Sequence, residues 1–169
     1  MTTARWLFAL QLVAMGAMEM SGPFWPLHLR RVGGLAPSTL AWASALAYAG
    51  PMAMAMCTTP WWGRLGDKVG HKPMLLRALL ALAATQWCIA ATDSVAMILA
   101  VRLLQGGLAG YIAAAQAYGA RLVTRAERGA LMAQLQAATA IGSVAGPVLG
   151  GWLFDAWGFQ SVNVLAGAA

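Results

Sequence analysis

Two charged side chains draw attention because of where they lie. Glu19 sits in Met18-Glu19-Met20-Ser21-Gly22-Pro23 and Arg102 in Arg102-Leu103-Leu104-Gln105-Gly106-Gly107, each within a long apolar run. A charge in hydrocarbon is expensive and by default marks function. The chemistry open to this pair is proton exchange. Apolar surroundings favour a neutral carboxyl and a neighbouring guanidinium favours the ionised one, and a group balanced between the two can load and release a proton. Glu19 stands eight residues before Leu27 and Arg102 eight after Ser94. At 1.5 Å per helical residue both lie about 12 Å from the same boundary. Gln105, one turn beyond Arg102, is the nearest further candidate for the wall of a polar cavity. The alternatives are a static ion pair and an arginine that snorkels to the interface.

Two glycine-rich stretches carry the remaining signal. Gly63-Arg64-Leu65-Gly66-Asp67-Lys68-Val69-Gly70-His71-Lys72-Pro73 reads as a tight, charged loop. Its glycines permit close backbone approach and positive φ, and Asp67 can cap a helix or pair with a basic neighbour. In Gly142-Ser143-Val144-Ala145-Gly146-Pro147-Val148-Leu149-Gly150-Gly151 the glycines at 142, 146 and 150 are four apart. They share one helix face, along which another helix can approach closely, and Pro147 is expected to bend the helix. Cys57 and Cys88 lie in apolar runs without metal-ligand spacing and are expected to be small buried side chains. Trp25 is expected to anchor at an interface, and His28 to be a loop residue.

The elements that must hold these residues are membrane helices. Hydrophobic residues make up 60% of the chain and charged residues 9%, against about 25% charged in a soluble domain. The net charge of +6 comes from bases clustered between apolar runs, so no basic face for nucleic acid is expected. The apolar segments also lack the polar face that a soluble helical domain needs. Runs near 6–27, 38–61, 74–92, 94–119 and 130–154 meet the requirement of about 20 apolar residues. A sixth begins near Val162 and reaches Ala169 after 8 residues, roughly 12 Å of helix against roughly 30 Å of hydrocarbon. The expectation is therefore a fragment or a truncated reading frame, comprising one N-terminal helical domain over 1–169. The first run is too long for a signal peptide and has no cleavage site after it. With the N-terminus inside, Arg5, Arg64, Lys68, Lys72, Arg77, Arg121, Arg125 and Arg128 face the cytoplasm, against Arg30 and Arg31 outside. That bias sets the expected orientation.

The loop Gly63–Pro73 resembles the signature of the major facilitator superfamily, G-x-L-[AG]-D-[RK]-x-G-[RK]-[RK], with His71 as its departure. The resemblance extends over essentially the whole chain. It implies an all-α integral membrane fold: the N-terminal half of a twelve-helix transporter, with five complete transmembrane helices and a truncated sixth. It also implies that Gly63, Gly66, Asp67, Lys68, Gly70 and Lys72 belong to a latch between the two halves when the transporter faces outward. The stretch with Gly142, Gly146, Pro147, Gly150 and Gly151 resembles the fifth-helix motif of the antiporter branch, drug–proton exchangers especially. Arg102-Leu103-Leu104-Gln105-Gly106 resembles the fourth-helix motif R-x-x-Q-G, whose arginine is tied to proton coupling or substrate binding. Helices one and four line the central cavity in this family, which would bring Glu19 and Arg102 together there. Gln86, Gln105, Gln116 and Gln136 are further candidates for its lining.

The expected function is proton-coupled efflux of a small amphipathic compound, a drug or a secreted metabolite such as a siderophore, by rocking of two halves. The expected place is the bacterial inner membrane. The alternatives are an uptake symporter on the same fold and a truncated fragment that does not transport. The expected partners are the substrate, protons, the bilayer and the missing C-terminal half, with no nucleic acid. No nucleophile–base pair, phosphate loop or metal cluster is legible, so neither an enzyme nor a cofactor is expected.

Overall fold

The computed structural model describes residues 2–108 and 110–169, and every regular element among them is helical. Helix α1 spans Thr2–Glu19 and is followed by a single tight turn, Gly22–Phe24, then α2, Trp25–Gly33. Next come α3, Pro37–Val69, and α4, His71–Ala90. The chain continues as α5, Val95–Leu108, α6, Tyr111–Leu122, and α7, Arg128–Ala168. These make five membrane-length spans: Ala4–Gly33, Pro37–Val69, His71–Ala90, Val95–Leu122 and Arg128–Ala168. Only helices satisfy their own backbone in hydrocarbon without a closed sheet, which is why chains this apolar fold so.

The joints differ from the sequence reading. The stretch 63–73, expected as a loop, is helical on both sides. α3 runs to Val69, α4 starts at His71, and Gly70 alone turns the chain with φ 99° and ψ 150°. A positive φ of this size is open to glycine at little cost, so one residue suffices where a longer loop was expected. The outer turn expected over 154–160 likewise collapses onto Gly158 (φ 81°, ψ 179°), with helix on either side, and the sixth helix starts from Phe159. Pro147 lies within α7 without a departure from helical backbone there; the break comes at Gly158. The first span has a break not expected from its hydropathy, between Glu19 and Trp25, around Gly22 and Pro23.

Helix α1 packs along α7, α3 along α5, and α4 against both α6 and α7. One end of the bundle is filled by Trp25, Leu29, Ala47, Ile89, Ile98 and Phe159. Trp6, Trp42, Trp61, Trp87, Trp152 and Trp157 are exposed on the outside with many Leu, Met and Val side chains. An apolar exterior of this extent belongs in lipid, and the chain is a multi-pass membrane protein. Cys57 and Cys88, expected to be buried, are both on that exterior; their helices turn those faces outward.

Candidate functional site

The site is built where the first span breaks. Glu19 is the last residue of α1, and its carboxylate lies over Gly22, where an added Cβ would stand 3.3 Å from Oε2. The Tyr48 hydroxyl of α3 donates to the Gly22 carbonyl and so ties the break to the second span. On α5, Arg102 Nε donates to the Ala47 carbonyl at 3.1 Å, and Nη1 donates to Gln105 Oε1 at 2.5 Å. The guanidinium lies 4.8 Å from the centre of the Trp25 ring, within cation–π range. Glu19, Tyr48, Arg102, Gln105, Tyr111 and Gln116 line one cavity of about 480 Å³, with Met18, Met52, Leu82 and Ile112 among its apolar walls. Glu19 and Arg102 thus share the cavity, but no ion pair within 4.0 Å joins them.

The other glutamines separate. Gln116 lines the same cavity as Gln105. Gln86 is buried in a different, apolar cavity of about 360 Å³ between α1 and α4, and Gln136 is exposed. A fifth, Gln11, was not singled out in the sequence; its Nε2 donates to Thr139 Oγ1 at 2.9 Å and links α1 to α7.

The glycine stripe of α7 lies on α1. A Cβ at Gly142 would stand 2.8 Å from the Leu12 carbonyl oxygen. At Gly146 it would overlap the Gly16 carbonyl and stand 3.1 Å from Glu19 Cβ, and at Gly150 it would overlap the Met20 backbone. Gly151 faces the Phe24 ring, where a Cβ would sit at 3.5 Å. Gly106, in the Arg102 motif, is as tight, with the Pro51 backbone of α3 filling the place of a side chain.

At the opposite end, Asp67 Oδ1 is 3.6 Å from His71 Nε2 and 3.9 Å from Arg121 Nη2. It pairs with basic neighbours rather than capping α4, whose N-cap is Gly70. Gly66 is buried beneath His71, whose Nδ1 a Cβ would meet at 3.0 Å, whereas Gly63 faces open space. Lys68 and Lys72 are exposed. Trp62 Nε1 donates to the Gly107 carbonyl at 2.8 Å, and the Arg77 guanidinium lies 3.5 Å over its ring. The joint between α6 and α7 is closed by Thr124, whose hydroxyl and backbone N–H donate to Glu127 Oε2 at 2.7 and 3.0 Å. Those two bonds hold the Glu127 carboxyl below the usual glutamate range.

The sequence profile of the Major Facilitator Superfamily matches residues 7–169. The chain belongs to the Major Facilitator Superfamily. It is 32% identical over 158 residues to the staphyloferrin B transporter of Staphylococcus aureus, covering 94% of this chain and 38% of that protein. It is 31% identical to the multi-drug resistance efflux pump PmrA of Streptococcus pneumoniae, over 86% of this chain and 36% of the pump. It is 30% identical to the multidrug resistance protein MdtG of Klebsiella pneumoniae, over 90% and 37%. The chain therefore spans well under half the length of the relatives it matches.

Several residues of the candidate site were not legible from hydropathy. Trp25, expected at an interface, is fully buried and supports Arg102. His28, expected in a loop, lies in α2 and stacks on Phe159 with centroids 3.9 Å apart. Both follow from α2, which carries the first span past Pro23 and Pro26 and folds these rings onto the start of the sixth helix. Tyr48 and Tyr111 look in sequence like two more aromatics in apolar runs; only the fold sets them beside Glu19 and Arg102.

Proposed function

We propose that this chain forms the N-terminal wall of a proton-coupled exporter of small amphipathic compounds, working by alternating access against a C-terminal half. The observation that carries this reading is the cavity in which an intramembrane carboxylate and an intramembrane arginine, from the first and fourth spans, line the same apolar-walled space. A volume of about 480 Å³ suits a drug-sized ligand, since such pockets run from about 300 to 1,000 Å³. In this reading a proton binds Glu19 from outside and leaves it to the cytoplasm, substrate moves outward in the other half of the cycle, and Arg102 lines the same cavity. The relatives, a multi-drug resistance efflux pump, a multidrug resistance protein and a staphyloferrin B transporter, support export of a small molecule. The basic residues Arg64, Lys68, Lys72, Arg121, Arg125 and Arg128 support an orientation with that end in the cytoplasm, and so a bacterial inner membrane. Asp67, Lys68 and Lys72 then belong to the latch between halves. Glu19→Gln, expressed from the protein's own gene, should abolish efflux driven by a pH gradient while leaving membrane insertion unchanged. Efflux at the wild-type rate under the same gradient would overturn the assignment.

A further inference from the structure

Arg102 is held from three elements. Its Nε donates to the Ala47 carbonyl of α3 and its Nη1 to Gln105 Oε1 of its own helix. Both acceptors are neutral, so the positive charge remains to be met, and among the described residues no carboxylate lies within 4.0 Å of it. The third contact is Trp25, with the guanidinium carbon 4.8 Å from the ring centre. The negative face of an aromatic ring attracts a cation, and tryptophan does so most strongly. Trp25 is fully buried, and its Nε1 has no hydrogen-bond partner. A buried indole N–H usually finds a partner, so hydrogen bonding is not what calls for tryptophan here, and the ring is. That ring is itself clamped. It meets Phe159 edge-on with centroids 5.0 Å apart, and His28 stacks on Phe159 at 3.9 Å. Rings from the first span and the start of the sixth helix thus end on the arginine of the fourth span.

We infer that Trp25 is a positioning residue, whose ring holds the Arg102 guanidinium against the cavity wall and off the Glu19 carboxylate. The inference rests on the export reading above and adds to it the group that keeps Glu19 from being locked in a permanent ion pair. Glu19 and Arg102 line one cavity, and their charges act on each other. Tyr48 of α3 and Tyr111 of α6 are the other titratable side chains on that wall, and α7 meets Glu19 with Gly146. A guanidinium released from the ring therefore has one anionic group on its cavity wall to turn to, which is Glu19. A close arginine favours the ionised carboxylate, so loading a proton would then need a more acid medium. With Trp25 in place, the cation is met by a ring that neither takes nor gives a proton, and Glu19 exchanges its own beside a charge without being paired to it.

The test follows ethidium efflux from cells expressing the protein from its own gene, over a series of external pH values at a fixed pH difference across the membrane. The quantity read is the external pH at half-maximal efflux, which does not depend on how much protein reaches the membrane. Trp25→Met fills the space without a ring and should move that midpoint about one pH unit to the acid side, the tenfold that a desolvated cation–π contact is worth. Trp25→Phe keeps a weaker ring and should move it less. Replacing Trp25 by a fluorinated tryptophan through nonsense suppression keeps the shape and the fold but weakens the negative face, and should move the midpoint the same way. A wild-type midpoint in the fluorinated protein, or a shift in Trp25→Phe as large as in Trp25→Met, overturns the inference, since packing alone would then account for Trp25. Absence of gradient-driven efflux in the wild type would instead defeat the export reading, and the inference with it, so the two failures are distinguishable.

Discussion

The two sides of the first span are built on opposite plans. Towards α7, Gly142, Gly146 and Gly150 bring backbone against backbone from Leu12 to Met20, with no room for a methyl group. Towards α3 and α5 the same span faces a cavity of about 480 Å³ and holds its groups by single polar bonds, Tyr48 to the Gly22 carbonyl among them. Glu19 belongs to both sides. Its Cβ lies where a side chain on Gly146 would be, while its carboxylate lies over Gly22 and lines the cavity. A side chain held in a fixed place needs a rigid backing, and small-residue packing supplies it, since close helix approach maximises van der Waals contact in lipid.

That contrast can be broken most severely from the tight side. Gly146→Leu drives a side chain into the Gly16 carbonyl and Glu19 Cβ. It should cost about 3 kcal/mol, the upper part of the overpacking range, seen as a large drop in the thermal unfolding midpoint in detergent. A midpoint equal to wild type would mean that the glycine face does not bear on α1. Tyr48→Phe works on the open side. It deletes one donor to the Gly22 carbonyl, and should cost about 1 kcal/mol of stability yet alter efflux more than its stability loss explains, because the bond ties down the break beside Glu19. Equal, small losses in both measurements would reduce Tyr48 to ordinary packing. Gly129→Ala gives the smallest effect and the opposite sign. Gly129 lies in the first helical turns of α7 with open space where its Cβ would be, so alanine should stabilise by about 0.5 kcal/mol. Together the two glycine variants separate glycine kept for contact from glycine with no contact to keep.

Much of this was legible in the sequence because lipid imposes a simple rule. Long apolar runs must be helices, so the five spans, and Glu19 and Arg102 as charges inside them, could be read directly. The glycines at 142, 146 and 150 could be placed on one face from their spacing, but the partner of that face could not, since any helix fits a smooth groove. The breaks were hidden for a different reason. Met20 to Phe24 carries a Gly22-Pro23 pair that punctuates the chain, but a hydropathy window averages over it and does not register a change in backbone direction. Trp25 and His28 were misplaced as a result: a straight first span would carry them to the surface, whereas the turn at Gly22–Phe24 folds them inward. In 63–73 the error ran the other way. Glycines and charges suggested a tight, charged loop over the whole stretch, yet most of them sit on regular helix, and Gly70 alone supplies the turn.

Gly70 has a mechanical consequence. Joining α3 to α4 through one residue leaves that corner with only φ and ψ of Gly70 to rotate about. The first strut is 33 residues long and the second 20, or about 50 Å and 30 Å at 1.5 Å per residue. A corner with two degrees of freedom, braced by Asp67 near His71 across it and by Arg121 from α6, does not fold and unfold like a flexible strap. With so few rotatable bonds, the two struts have fewer relative tilts open to them than a longer loop would allow.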